Sequence, residues 1–154
     1  MNNDTIEVHK LLERLFDKPC SSKEKKFSKQ VYKDSVVFGR FVDDKDELVA
    51  VVSADAAFAC YTGAAIMMLP PAAAEDARKA TDFPEEITEA FAEVLNVLSR
   101  LFNTSDRPHC RYTTASYGKA PDDIKEFIKG SSARDSFGFE VGGYGEGTLT
   151  LFAA

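Results

Sequence analysis

Little in this sequence points to covalent staples or bound metal. It has three cysteines, Cys20, Cys60 and Cys110, an odd number set far apart and without a CxxC pair. That excludes a disulfide framework and a thiolate metal clip, and it predicts reduced thiols in a cytoplasmic chain. There are two histidines. His9 stands on the first predicted helix, far in sequence from His109. His109 adjoins Cys110 at the start of a predicted strand, where neighbouring side chains point to opposite faces, so no metal ligand set forms there. A secretion leader is not expected either, because MNNDTIEVHK lacks the basic-then-apolar order. Ala56 to Ala74 is uncharged and approaches the length of a membrane span, but it is mostly alanine and Pro70-Pro71 cuts it. Basic charge is also scarce. The formal net charge is -6, and the one dense basic stretch, Lys23 to Gln30, reads as a solvated loop or short helix. Neither nucleic acid nor a membrane is an expected partner.

What is present suits one domain over residues 1–154, since 44% hydrophobic residues can build a core without staples. Asp4-Thr5-Ile6-Glu7 reads as a capping box, and Val8, Leu11, Leu12, Leu15 and Phe16 follow at helical spacing. Val31 to Val42 and Leu48 to Ser53 read as strands joined through the polar Asp43 to Glu47. Asp55 to Leu69 reads as a buried small-residue helix in which Gly63 marks close packing. Pro70-Pro71 starts another helix, with Glu75 and Asp76 suited to its dipole. Pro84 opens a long helix to about Phe102, Pro108 to Tyr117 reads as a strand, and Pro121 to Gly130 as a short helix. Ser136 to Gly143 and Thr148 to Phe152 form a closing hairpin around Tyr144-Gly145-Glu146-Gly147. The glycine-rich run before Thr148 precedes a strand rather than a helix, which argues for a turn and against a phosphate cradle. The order of elements gives an α+β fold with a central antiparallel sheet. Thr148 to Phe152 is a candidate for pairing across a homodimer.

The long helix has two unlike faces. Ile87, Phe91, Val94, Leu95, Leu98, Leu101 and Phe102 form an apolar stripe at helical spacing. Opposite lie Glu86, Glu89, Glu93, Asn96 and Arg100, successive members three or four residues apart. Three carboxylates at such spacings repel by a few tenths of a kcal/mol per pair, and Asn96 costs about 0.6 kcal/mol of helix propensity against alanine. Stability alone does not select this ridge.

Glu93-Val94-Leu95-Asn96 on that outer face resembles the E-x-x-N motif of the CheC/CheX/FliY family, bacterial chemotaxis phosphatases acting on the phosphorylated response regulator CheY. VVFGRFVDDKDELVAVVS, the small-residue helix Ala57 to Leu69 and the strand pair Phe137 to Phe152 are similar in order to that family's elements. One motif copy and this length are more similar to CheX than to CheC. The family often places Ser or Asp where Glu89 stands, a small residue where Arg100 projects, and its downstream proline later than Pro108.

The resemblance implies an accessory phosphatase for a phosphorylated CheY-like receiver domain. Asn96 would orient the attacking water, since an amide offers donor and acceptor without titrating. Glu93 would pair with a partner lysine and set the docking register. Glu89 and Arg100 would face the partner from the same ridge. The chain would need no cofactor of its own, Mg being expected on the receiver. The alternative is a non-catalytic interaction module, either a regulatory adaptor or a flagellar-switch-like component.

Overall fold

The computed structural model describes residues 5–16, 20–25, 33–80, 83–103 and 109–154. Asp4 of the capping box, Lys26 to Tyr32 and Pro108 lie outside these. The elements are α1 (Thr5–Phe16), β1 (Cys20–Lys25), β2 (Val37–Val42), β3 (Leu48–Ala54), α2 (Ala56–Met67) and α3 (Pro71–Ala80). They continue with α4 (Glu85–Leu98), a 3-10 turn (Ser99–Leu101), β4 (Arg111–Tyr117), α5 (Asp122–Gly130), β5 (Ala133–Val141) and β6 (Gly145–Ala153).

The strands make one six-stranded sheet in the order β1-β5-β6-β3-β2-β4, with every pair antiparallel. The expected α+β class with a central antiparallel sheet is what forms. Alternation along the strands separates two faces. Val37 and Phe41 of β2, Ala50, Val52 and Ala54 of β3, and Leu149, Leu151 and Ala153 of β6 enter the main core under α1, α2 and α4. Phe38, Val51 and Phe152 point the other way and bury against Ile124 and Ile128 of α5.

Three expectations need correction. The basic stretch is not all loop or helix: Lys23, Glu24 and Lys25 belong to β1, an edge strand paired with Gly138, Phe137 and Ser136 of β5. Period-two reading missed it because its residues are polar, and a sheet edge tolerates that. β6 is interior, hydrogen-bonded to β3 on one side and β5 on the other, so Thr148 to Phe152 has no free edge for a second copy. The closing turn lies at Gly142 to Tyr144, where Tyr144 N–H donates to Val141 O at 3.0 Å, earlier than the expected Tyr144 to Gly147.

The displaced glycines have another task. Asp55 caps α2 by accepting from Phe58 N–H at 2.8 Å, and the same oxygen accepts from Thr148 N–H at 3.1 Å. This draws the start of α2 onto β6. A Cβ built at Gly147 would lie 2.2 Å from Phe58 N, so only glycine fits. Farther along α2, a Cβ at Gly63 would meet Ile87 O of α4 at 3.0 Å, the close packing its position implied. The uncharged stretch Ala56 to Ala74 is split between α2 and α3, and no helix among the described residues is long and apolar enough to cross a membrane.

Candidate functional site

α4 begins at Glu85 after Pro84, whose fixed φ suits a helix start, with Glu85 and Glu86 near the positive end of its dipole. Its inner stripe is closed. Phe91, Val94, Leu95 and Leu98 are each 0% exposed. Phe91 meets Phe58 of α2 edge-on at 5.9 Å, and Leu95 fills the space over Gly39, its methyl carbons 3.1 Å from where a Cβ there would stand. The backbone of α4 is therefore held against both α2 and the sheet.

The outer face is open. Glu86, Glu89, Glu93, Asn96 and Arg100 are all exposed. Among the described residues their side chains make no hydrogen bond or ion pair. Glu93 and Asn96 stand at i,i+3, with Cβ atoms about 5–6 Å apart. Asn96 lies in the last helical turn. Its backbone carbonyl accepts from Ser99 Oγ at 2.6 Å, and its carboxamide stays clear. The helix was expected to reach Phe102, but it tightens to the 3-10 turn after Leu98, so Arg100 follows α4 rather than continuing its ridge.

Asn103, seven residues beyond, does the opposite. Its Oδ1 accepts from Cys110 N–H at 2.7 Å and its Nδ2 donates to Cys110 O at 3.0 Å, joining the end of the helical segment to the approach to β4. The part Asn103 plays was not legible in the sequence, because it rests on Cys110, which helix spacing does not bring near it.

Other polar groups are committed to structure. Glu75, expected to serve the dipole of α3, lies past its first turn. Tyr61 Oη donates to Glu75 Oε2 at 2.6 Å, and Arg78 Nε donates to Glu75 Oε1 at 2.9 Å. Hydrogen bonds from Arg78 and then Tyr61 hold the Glu75 carboxyl down at about 2. Burial, then the hydrogen bond to Glu75, pushes the Tyr61 phenol up. Arg40 grips Asp123 through Nε at 3.1 Å and Nη2 at 3.0 Å and reaches Ser116 Oγ through Nη1 at 2.7 Å. No group of three His, Cys, Asp or Glu side chains among the described residues could hold a metal. None of the three cysteines is in a disulfide; burial raises Cys60 to about 12 and Cys20 to about 11, so neither is poised as a nucleophile.

No protein-family model matches the sequence, and no curated protein matches it. Solved structures do match. The FliM middle domain from H. pylori superposes with a TM-score of 0.64 at 8% identity, over 97% of this chain and 84% of that one. FliY from Thermotoga maritima superposes with a TM-score of 0.61 at 11% identity, over 96% of this chain and 82% of that one. The CheX–CheY–BeF3–Mg complex from Borrelia burgdorferi matches more loosely, with a TM-score of 0.45 at 15% identity over 97% of both chains. At these identities the likeness speaks for the fold alone. The chain has the fold that FliY shares with the FliM middle domain, that of the CheC/CheX/FliY group its sequence resembles.

Proposed function

We propose that this chain is a CheX-like accessory phosphatase that promotes hydrolysis of the aspartyl phosphate on a CheY-type receiver domain. One observation carries the reading: Glu93 and Asn96 are exposed, without a side-chain partner among the described residues, on a helix whose other face is packed. A rigid backbone bearing a free amide suits a group that must enter another protein's site without reorganising. In the reaction a water oxygen attacks phosphorus, the bond to the aspartyl oxygen breaks, and the receiver regains its carboxylate as inorganic phosphate leaves. The Asn96 carboxamide accepts a hydrogen bond from that water and donates to a phosphoryl oxygen, fixing the in-line approach. Glu93 pairs with a receiver lysine and sets register. The phosphate charge is met by the receiver's own lysine and metal, so Asn96 contributes position rather than charge.

A second reading has its own support. The fold is also that of FliM, which has been solved in complexes with FliG and with SpeE. A non-catalytic adaptor would use the acidic ridge for docking, with Glu89 and Arg100 among its contacts, and would tolerate loss of Asn96. The deciding assay is release of phosphate from labelled receiver domains of the same host, with wild type and Asn96→Ala side by side. Release that depends on Asn96 supports the phosphatase. Binding without accelerated release supports the adaptor.

A further inference from the structure

The opposite face of the sheet carries a hollow of about 430 Å³ between the segment leading into β2 and the loop joining β4 to α5. Its volume lies within the range of small-molecule sites. Three lysines line it, Lys33, Lys119 and Lys125, and its described wall contains no carboxylate. Among the described residues none of the three lysines is in an ion pair. The carboxylate of Asp123, two residues before Lys125, is already held by Arg40 at 3.0 Å. All three lysines are exposed, and charge of one sign gathered around a concavity in a chain of net charge -6 favours an anion there. A cleft lined by one sign of charge over low-dielectric walls also concentrates ions of the other sign.

The walls narrow the choice of anion. Val36, Phe38 and Ala120 supply apolar surface. The base is braced by backbone: Gly118 N–H donates to Val36 O at 2.7 Å, tying the loop to the strand entry. Ser35 Oγ is turned inward to Ser53 Oγ at 3.1 Å. Lysines act on phosphate as strong point charges, and apolar walls suit a carbon skeleton attached to it. We infer that this hollow binds a small organic phosphate, the phosphoryl group among Lys33, Lys119 and Lys125 and the organic part against Val36, Phe38 and Ala120. The site lies across the sheet from α4 and does not depend on the phosphatase reading.

AMP, adenosine and inorganic phosphate, titrated separately at low salt and followed by amide chemical shifts and calorimetry, test this. AMP should bind saturably at one site, moving the amides of Val36, Phe38, Gly118, Lys119 and Ala120. Inorganic phosphate should compete for the same site more weakly, and adenosine should bind at least about tenfold more weakly than AMP, since a charge-assisted contact commonly carries that factor. The Lys33→Ala/Lys119→Ala/Lys125→Ala variant should lose about tenfold or more in AMP affinity at unchanged melting temperature, while Lys45→Ala and Asn96→Ala leave affinity unchanged. No saturable binding of AMP or phosphate, shifts centred elsewhere, or full affinity in the triple variant would overturn the proposal. So would displacement of AMP by a Glu-rich peptide that binds more tightly, which would assign the hollow to an acidic protein segment.

Discussion

Two polar regions on neighbouring helices are built on opposite principles. At the joint of α2 and α3, Tyr61, Glu75 and Arg78 satisfy one another, and Tyr144 Oη closes the joint by donating to Leu69 O at 2.5 Å. On the outer face of α4, Glu86, Glu89, Glu93 and Asn96 satisfy nothing within the described residues. The first arrangement exchanges hydrogen bonds with water for hydrogen bonds within the chain and holds two helices together. The second keeps its groups hydrated and free to exchange water for a partner. Substitutions should therefore harm stability at the joint and activity on the ridge, with little crossover.

The largest effect belongs to the packing beneath the joint. Gly147→Ala would force a Cβ to within 2.2 Å of Phe58 N, a backbone atom that cannot step aside alone. It should destabilise the fold by about 3 kcal/mol or more, since overpacking against backbone has no soft relaxation. Chemical denaturation checks this, and a midpoint close to wild type would show that α2 slides freely on β6.

Asn96→Ala should come next in size and act on the other quantity. Receiver dephosphorylation should fall by on the order of 10²-fold, as with removal of other well-placed polar groups. The melting temperature should hold or rise slightly, because the residue is exposed and alanine is the better helix former. Full activity in this variant would refute the mechanism.

A third outcome comes from pH. The Glu75 carboxyl sits near 2 in the folded chain, against an ordinary value of 4.5. A depressed carboxyl adds stability that is present above the ordinary value and lost as protons bind on descent toward the folded one. Melting temperature should thus fall between about pH 4.5 and about pH 2. Glu75→Gln should lower stability at neutral pH and flatten that part of the profile.

The smallest effect is expected at Glu93. Glu93→Ala should weaken receiver binding by about two- to fivefold, the scale of a solvent-exposed ion pair. The turnover of bound receiver should stay level, and the difference should shrink as salt rises. A loss confined to turnover would mean that Glu93 acts on the reaction rather than on register.

Much of the architecture is legible along the chain because neighbouring residues carry it. Helical spacing marks α1 and α4, a run of small apolar residues marks α2, and the polar break at Asp43 to Glu47 marks the hairpin turn between β2 and β3, where Asp43 Oδ1 accepts from Lys45 and Glu47 N–H at 2.9 and 3.0 Å. The exposure of Glu93 and Asn96 follows from the same wheel that buries Phe91, Val94 and Leu95. Polar β1 was not legible, because what makes it a strand is the edge of β5 rather than any pattern of its own.

By itself the sequence determined which segments other than β1 become helix or strand and which side of the long helix meets water, since both depend on spacing within a few residues. Tertiary structure decided what those sides meet. It placed β6 between β3 and β5, turned Glu75 from a dipole partner into the clasp of Tyr61 and Arg78, and separated Asn103, which staples Cys110, from Asn96, whose side chain has no partner among the described residues. It also brought Lys33 to the same hollow as Lys119 and Lys125. Those outcomes depend on contacts between residues distant along the chain, which packing selects and local spacing does not encode.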